Sequence, residues 1–287
     1  MKTRRLAWLL APLAALAAVA CGTLPDGKRD GATALSVVTL NLYHDKDDWP
    51  KRQALIVATL RKLHPDVIAL EEVLQHEGLP NQAETLGAAL GYSVHFVSVD
   101  PEGGAKRFGN AILTRRPVLA RDAHPLQPLD DYRIAGFVRI DLDGCPVNIY
   151  VTHLHYTDAG GAIRARQVRD LLEFVAATAG NARSLIAGDF NAAADTPELE
   201  LLRVAGYVDS YGAMHPEATR DPAAHATLNR KYFPDDRRRI DHVFLARAAF
   251  EPTASRIILD QPDAAGTWAS DHYGLLTTAQ LLPPAPR

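Results

Sequence analysis

Short apolar runs that break off at a polar residue recur along this chain, with helical periodicity between them. Residues 35–42 (Leu-Ser-Val-Val-Thr-Leu-Asn-Leu) are β-rich and predict a central strand with Asn41 near its end. Residues 51–63 place Ile56, Leu60 and Leu63 on one helical face, and Pro65 follows. A second apolar run at 66–70 delivers Glu71 and Glu72, which in regular strand geometry face opposite sides. A short helix at 82–90, a strand at 93–99 and a loop at 100–107 lead to a strand at 108–114 with Asn110 at its start. Residues 133–142 and 145–153 alternate and are joined by Asp143-Gly144, a hairpin signal; the second run ends in Thr152-His153-Leu154-His155. A helix at 163–179 buries Val168, Leu171, Leu172 and Val175.

The pattern then centres on Ser184-Leu185-Ile186-Ala187-Gly188-Asp189-Phe190-Asn191. An apolar strand stops at a glycine, where the backbone can turn or approach a neighbour closely, and presents a carboxylate and a carboxamide. In extended backbone Asp189 and Asn191 project to one side, a donor set suited to a metal-bound oxyanion; a plain Asx turn is the other reading of the same residues. Thr196-Pro197-Glu198 predicts a helix to Val204 with Thr196 as its cap. Residues 207–234 carry no clear period, and strands are expected at 239–245, 254–259 and from Ser270 to Leu282, the last opening on Ser270-Asp271-His272. Strands interleaved with helices, several ending in polar residues, predict an α/β layered sandwich with its site at strand ends; the hairpin-rich middle argues against an all-parallel doubly wound sheet.

The first residues change the picture of location. Lys2, Arg4 and Arg5 precede an apolar run, 6–20, that is short for a membrane span. It closes in Ala18-Val19-Ala20-Cys21-Gly22, which resembles a bacterial lipoprotein signal with Cys21 as the lipidated mature N-terminus, although alanine stands where that signal usually has leucine. An ordinary cleaved signal peptide is the alternative. The expected division is a signal at 1–20, a breaker-rich tether at 21–33 and a catalytic domain at 34–283. This places the protein on the bacterial cell envelope, membrane-bound through Cys21, with the outer membrane favoured because Gly22, and not aspartate, follows the cysteine. Cys145 is the only other cysteine, so no internal disulfide framework is expected; its place beside Gly144 and Pro146 reads as structural.

With 47% hydrophobic and 23% charged residues the composition is that of a globular protein. The net charge is −3, and it falls to −6 once the three leader cations are set aside. Such a chain lacks the overall basic field of a processive nucleic-acid binder. The run Arg237-Arg238-Arg239 reads as a solvated charge cluster, and His44, His64, His76, His95, His124, His215 and His225 read as surface residues. His155 and His242 adjoin the polar strand ends without a determined direction.

Taken in order, Thr39-Leu40-Asn41-Leu42, Leu70-Glu71-Glu72-Val73, the 108–117 stretch around Asn110, Thr152-His153-Leu154, Gly188-Asp189-Phe190-Asn191, Arg239-Ile240-Asp241-His242 and Ser270-Asp271-His272-Tyr273 closely resemble the motif series of the endonuclease/exonuclease/phosphatase superfamily. The resemblance spans about residues 35–283 and implies a four-layered α/β sandwich of two packed mixed β-sheets flanked by helices. It also implies a metal-dependent phosphodiesterase. Glu72 would be the main metal ligand with Asn41 beside it and Asp271 completing the metal environment. Asp189 and Asn191 would position the attacking water and a phosphate oxygen, and Asn110 would face the phosphate. His272, oriented by Asp241, would be the base, a role the family also assigns to the carboxylate at the position of Asp189. His153 would protonate the leaving oxygen or stabilise the transition state. Two departures stand out: Glu71 replaces a glutamine common before the metal glutamate, and Tyr43 replaces an aspartate of some nuclease branches.

The residue chemistry agrees: phosphodiester hydrolysis needs a cation, an activated water and a proton for the leaving oxygen. Oxygen donors suit Mg²⁺, with Mn²⁺ or Ca²⁺ as alternatives, better than zinc. The expected partners are a phosphoester substrate, phospholipid-like or a small organic phosphoester, and the membrane, with the protein a monomer. The alternative readings are a nuclease acting on DNA or RNA and a non-catalytic envelope binding protein of the same fold.

Overall fold

A computed structural model describes residues 33–283. In chain order the elements are β1 (Ala34–Asn41), α1 (Trp49–Leu63), β2 (Val67–Gln75), α2 (Gln82–Leu90), β3 (Ser93–Ser98), β4 (Arg107–Thr114) and β5 (Val118–Pro125). They continue with β6 (Ile134–Leu142), β7 (Cys145–His153), α3 (Gly161–Ala179), β8 (Arg183–Asp189), α4 (Pro197–Val204) and β9 (Tyr207–Asp209). Last come α5 (Ser210–Met214), β10 (Asp241–Ala246), β11 (Phe250–Ile258) and β12 (Gly274–Leu281). The expected signal, Cys21 and the tether up to Ala32 lie outside the described residues. Among the described residues no helix is long and apolar enough to cross a membrane.

Two mixed six-stranded sheets form, ordered β11-β12-β1-β2-β4-β3 and β5-β6-β7-β8-β10-β9. The period of two along each strand sorts their side chains into three cores. Between the sheets, Leu35 and Val37 of β1, Val67 and Ala69 of β2, and Ile112 of β4 meet Ile149, Val151, Leu185, Ala187, Val243 and Leu245 of the opposing sheet. The alternate residues of the first sheet, Val38, Leu40, Ile68 and Leu70, face α1 and α2 through Ile56, Leu60 and Leu86. Those of the second sheet, Tyr150, Ile186 and Phe244, face α3 and α4 through Val168, Leu171 and Leu202. The layers are therefore helix, sheet, sheet, helix, the four-layered sandwich expected.

Local chemistry explains the element ends. Asp143 and Gly144 both have positive φ, 54° and 86°, as the two-residue β6–β7 hairpin requires. Thr196 precedes α4, yet its side chain makes no capping bond; the hydroxyl donates to Ala193 O at 2.9 Å, so the expected cap is absent. β5 is an edge strand with mostly exposed side chains and no apolar alternation to announce it. The region 207–234, unreadable as sequence, holds β9, α5 and two short 3₁₀ turns.

Candidate active site

The strand period also builds the site. Asn41 continues the inward row of Leu35 and Val37, and Asp189 continues that of Leu185 and Ala187. Asn110 shares the face of Ile112, His153 that of Ile149 and Val151, and Asp241 that of Val243 and Leu245. Each of these rows leaves the intersheet core at the same end and turns polar there. His242, one residue out of phase, faces the opposite way: its Nε2 lies 2.9 Å from Ala192 O and its Nδ1 3.7 Å from Asp209 Oδ1. His155 is likewise engaged elsewhere, with Asp131 at 2.8 Å and Thr157 at 2.7 Å.

Asp189 Oδ2 is the meeting point. It accepts from Asn41 Nδ2 at 3.0 Å and lies 3.5 Å from His153 Nε2 and 3.9 Å from His272 Nε2. His272 Nδ1 lies 2.9 Å from Asp241 Oδ2, the expected His–Asp pair. The strand pairing of β8 with β10 sets Asp189 directly opposite Asp241, and that of β7 with β8 sets His153 opposite Asp189. Gly188 makes the second pairing close: at φ 150°, a Cβ on it would stand 2.0 Å from Thr152 O.

Asn191 departs from the extended geometry expected. Its φ is 50°, its N–H donates to Asp189 Oδ1 at 2.9 Å, and its side chain donates to Leu154 O at 3.1 Å. The stretch is thus both an Asx turn and part of the site. The turn locks one oxygen of Asp189 and leaves the other facing Asn41 and the histidines.

Glu71 and Glu72 also depart from expectation. The β2–β4 register shifts between Leu70 and Val73, and Glu72 has φ 56°. This bulge returns Val73 to the α1/α2 core while both glutamates stay toward the site. Glu71, fully buried, accepts from Thr39 Oγ1 at 2.9 Å, and its Oε2 has no hydrogen-bond partner. Burial, with Asp241 and Asp189 adding repulsion, pushes its carboxyl well above the usual range. Glu72 lies 2.8 Å from His44 Nε2. Burial opposes its ionisation, but His44, His153 and His272 outweigh it and bring its pKa down to about 2. His44, read as a surface residue, therefore belongs to the site; its ring also stacks on Phe108, 4.8 Å between centroids.

Asp271 is buried, with its Oδ1 3.2 Å from Ser270 Oγ. Burial pushes its pKa up to about 6, against the pull of His272, with Glu72 and Asp189 adding to the rise. The two histidines have opposite electrostatics. Burial lowers His272, yet Asp241, Asp189 and Asp271 raise it well above the ordinary value. Burial and the Arg133 guanidinium depress His153 to about 4 against Asp189 and Glu72, so it is neutral. Arg133, which sequence reasoning passed over, therefore stands as a cation beside the phosphate-side residues; Asn110 meanwhile donates to the neighbouring Ile134 O at 2.9 Å.

The loop that delivers Asp271 and His272 is fixed by residues no motif singled out. Thr227 Oγ1 accepts from Ile240 N at 3.0 Å and Asp241 N at 3.2 Å, while Thr227 O accepts from Tyr273 N. Asn229 donates to Ser270 O at 2.8 Å, and Ser270 Oγ donates to Asn41 O at 2.7 Å. Of the arginine run, Arg239 is not solvated: it is largely buried and pairs with Asp209 at 2.7 Å.

The donors fit a hard divalent cation. Half-buried Glu72 raises the cost of charge on buried Asp271, and Asn41 Oδ1, which accepts from Tyr43 N at 3.0 Å, adds an amide oxygen. One donor atom each from Asp189, Asp241 and His272 also lies within 4.8 Å of the others.

Known proteins share this fold. The model of the Endonuclease/Exonuclease/phosphatase family matches residues 38–272. Nocturnin of Drosophila melanogaster is 26% identical over 277 residues, which cover 82% of this chain but only 42% of that protein. The human Nocturnin catalytic domain with bound sulfate superposes with a TM-score of 0.68 at 19% identity, covering 87% of this chain and 94% of that one. A D. rerio TDP2 structure complexed with single-strand DNA product gives 0.70 at 20% identity, covering 86% and 99%.

Proposed function

From a chain that belongs to the Endonuclease/Exonuclease/phosphatase family, we propose an envelope-tethered, divalent-metal-dependent phosphodiesterase acting on a phospholipid-like or small organic phosphoester. The observation that carries the reading is the meeting of Asn41, His153 and His272 at one oxygen of Asp189, beside the acidic pair Glu72 and Asp271. Glu72, Asp271 and Asn41 would hold the cation, Mg²⁺ first by its preference for oxygen donors. When bound, that ion neutralises charge on the phosphate.

The protein's own groups divide the remaining work. Asp189 accepts a proton from water as its oxygen attacks phosphorus in line, with Asn191 holding the carboxylate. The bond to the leaving oxygen breaks on the far side, and that oxygen takes its proton from solvent. His272, held by Asp241, donates to a non-bridging oxygen, and Asp189, whose Oδ2 faces Asn41 and both histidines, takes the base role. His153 is a neutral donor to the same transition state, and Asn110 with Arg133 faces the phosphate side.

The tether supports a substrate at a membrane surface, and the acidic balance of the chain supports a lipid or small phosphoester over DNA. A panel of bis-p-nitrophenyl phosphate, phospholipids, plasmid DNA and RNA, each with Mg²⁺ and with EDTA, tests this. EDTA-sensitive cleavage of lipid but not of nucleic acid is expected. DNA or RNA cleavage alone would replace the reading with a nuclease, and no hydrolysis at all would leave a binding protein.

A further inference from the structure

A second cluster of metal-type donors lies outside the active site, in the segment that carried no sequence signal. One donor atom each from His215, Glu217 and His225 lies within 4.8 Å of the others. His215 Nδ1 is 3.1 Å from Glu217 Oε1. The other nitrogen of each imidazole is already engaged by an oxygen: His215 Nε2 donates to Ser255 O at 2.7 Å, and His225 Nδ1 lies 2.8 Å from Tyr211 Oη. A carbonyl only accepts, so His215 carries its lone pair on Nδ1, and Tyr211 Oη, able to accept from His225 Nδ1, lets His225 Nε2 do the same.

We propose that His215 Nδ1, His225 Nε2 and the Glu217 carboxylate bind a borderline transition-metal dication, zinc foremost, with water completing the shell. Two imidazoles and a carboxylate suit zinc, whose bonds to such donors run about 2.0–2.2 Å. The donors close by small side-chain rotations, since all three groups are half-buried or exposed. Of the arginines near the cluster, Arg239 stacks on the Tyr211 ring at 4.9 Å but is paired with Asp209, Arg237 donates to Ala223 O, and Arg220 is exposed, its backbone N–H donating to Glu217 O. The bound ion would close the 215–225 segment on itself, while His215 Nε2 anchors that segment to Ser255 of β11.

The test uses the untagged full chain, stripped of metal and held in excess Mg²⁺, with zinc titrated in and bound metal counted by mass spectrometry after gel filtration. One saturable zinc equivalent is expected. His225→Ala should remove it, and Tyr211→Phe should weaken it about tenfold by freeing the tautomer. Metal-free His225→Ala should keep the parent's thermal midpoint and Mg²⁺-dependent hydrolysis, which separates loss of the site from loss of the fold. Should His215→Ala unfold through its bond to Ser255, His225→Ala still decides. Zinc uptake unchanged in His225→Ala, or removed only by His272→Ala, overturns the proposal.

Discussion

Arg52 offers the sharpest test of how the fold holds the site. It is fully buried, and its guanidinium donates to five carbonyls: Leu42 at 2.7 Å, Ala269 at 2.9 Å, His44 at 2.8 Å, Tyr43 at 3.3 Å and Lys46 at 2.9 Å. These bonds gather the loop after Asn41, which carries His44 to Glu72, and the start of the Ser270-Asp271-His272 turn. In Arg52→Met the carbonyls of the more exposed loop can turn to water, whereas those at buried Leu42 and Ala269 are stranded. At about 1–3 kcal/mol for each stranded group, the loss is about 2–6 kcal/mol, a large share of a typical fold's 5–15 kcal/mol. Urea unfolding followed by circular dichroism should show a lower midpoint with unchanged slope. Hydrolysis by the folded fraction should fall because His44 and Asp271 lose their common support. A loss below about 1 kcal/mol with full activity would refute the clamp.

Other substitutions follow from single distances and charges. Gly188→Ala would place a Cβ 2.0 Å from Thr152 O, so β8 must move off β7; turnover should drop about 100-fold through the displaced Asp189, and normal turnover would contradict that. Glu71 has a raised folded pKa, so the fold binds its proton more tightly than the unfolded chain and loses stability as pH rises above about 4.5. Glu71→Gln should therefore raise the urea midpoint at pH 7, and a lowered midpoint would show that the charge is needed. Asp209 is the opposite case: burial opposes its charge, but His242 and Arg239 outweigh it and depress its pKa. Its stabilisation is present above about pH 3.8 and lost as pH falls through the folded value. Asp209→Asn should cost about 3–5 kcal/mol at pH 7, with the gap to the parent narrowing in acid; a gap independent of pH would rule out the ion pair.

What could be read from the sequence was what strand period controls. Asn41, Asn110, His153, Asp189 and Asp241 each extend an inward apolar row, so alternation sets the face they share, while strand register sets where they meet. What could not be read depends on local backbone or distant partners. The bulge at Glu72 cancels the alternation that separated it from Glu71, and the positive φ of Asn191 turns an extended pair into an Asx turn. His44 reaches the site only because Arg52 gathers its loop, and Thr227 only because its segment pairs with the His272 turn. β5 escaped because an edge strand has no second buried face to mark it.

The most direct measurement of the central claim is the rate of metal-dependent phosphodiester hydrolysis in Asp189→Asn against the parent protein. The substitution keeps the side chain's size and its bond to Asn191 N while removing the proton acceptor. With Mg²⁺ saturating and folding confirmed by an unchanged near-ultraviolet spectrum, kcat should fall at least about 100-fold with little change in KM. Full kcat in that variant, or equal rates with Mg²⁺ and with EDTA in the parent, would contradict it.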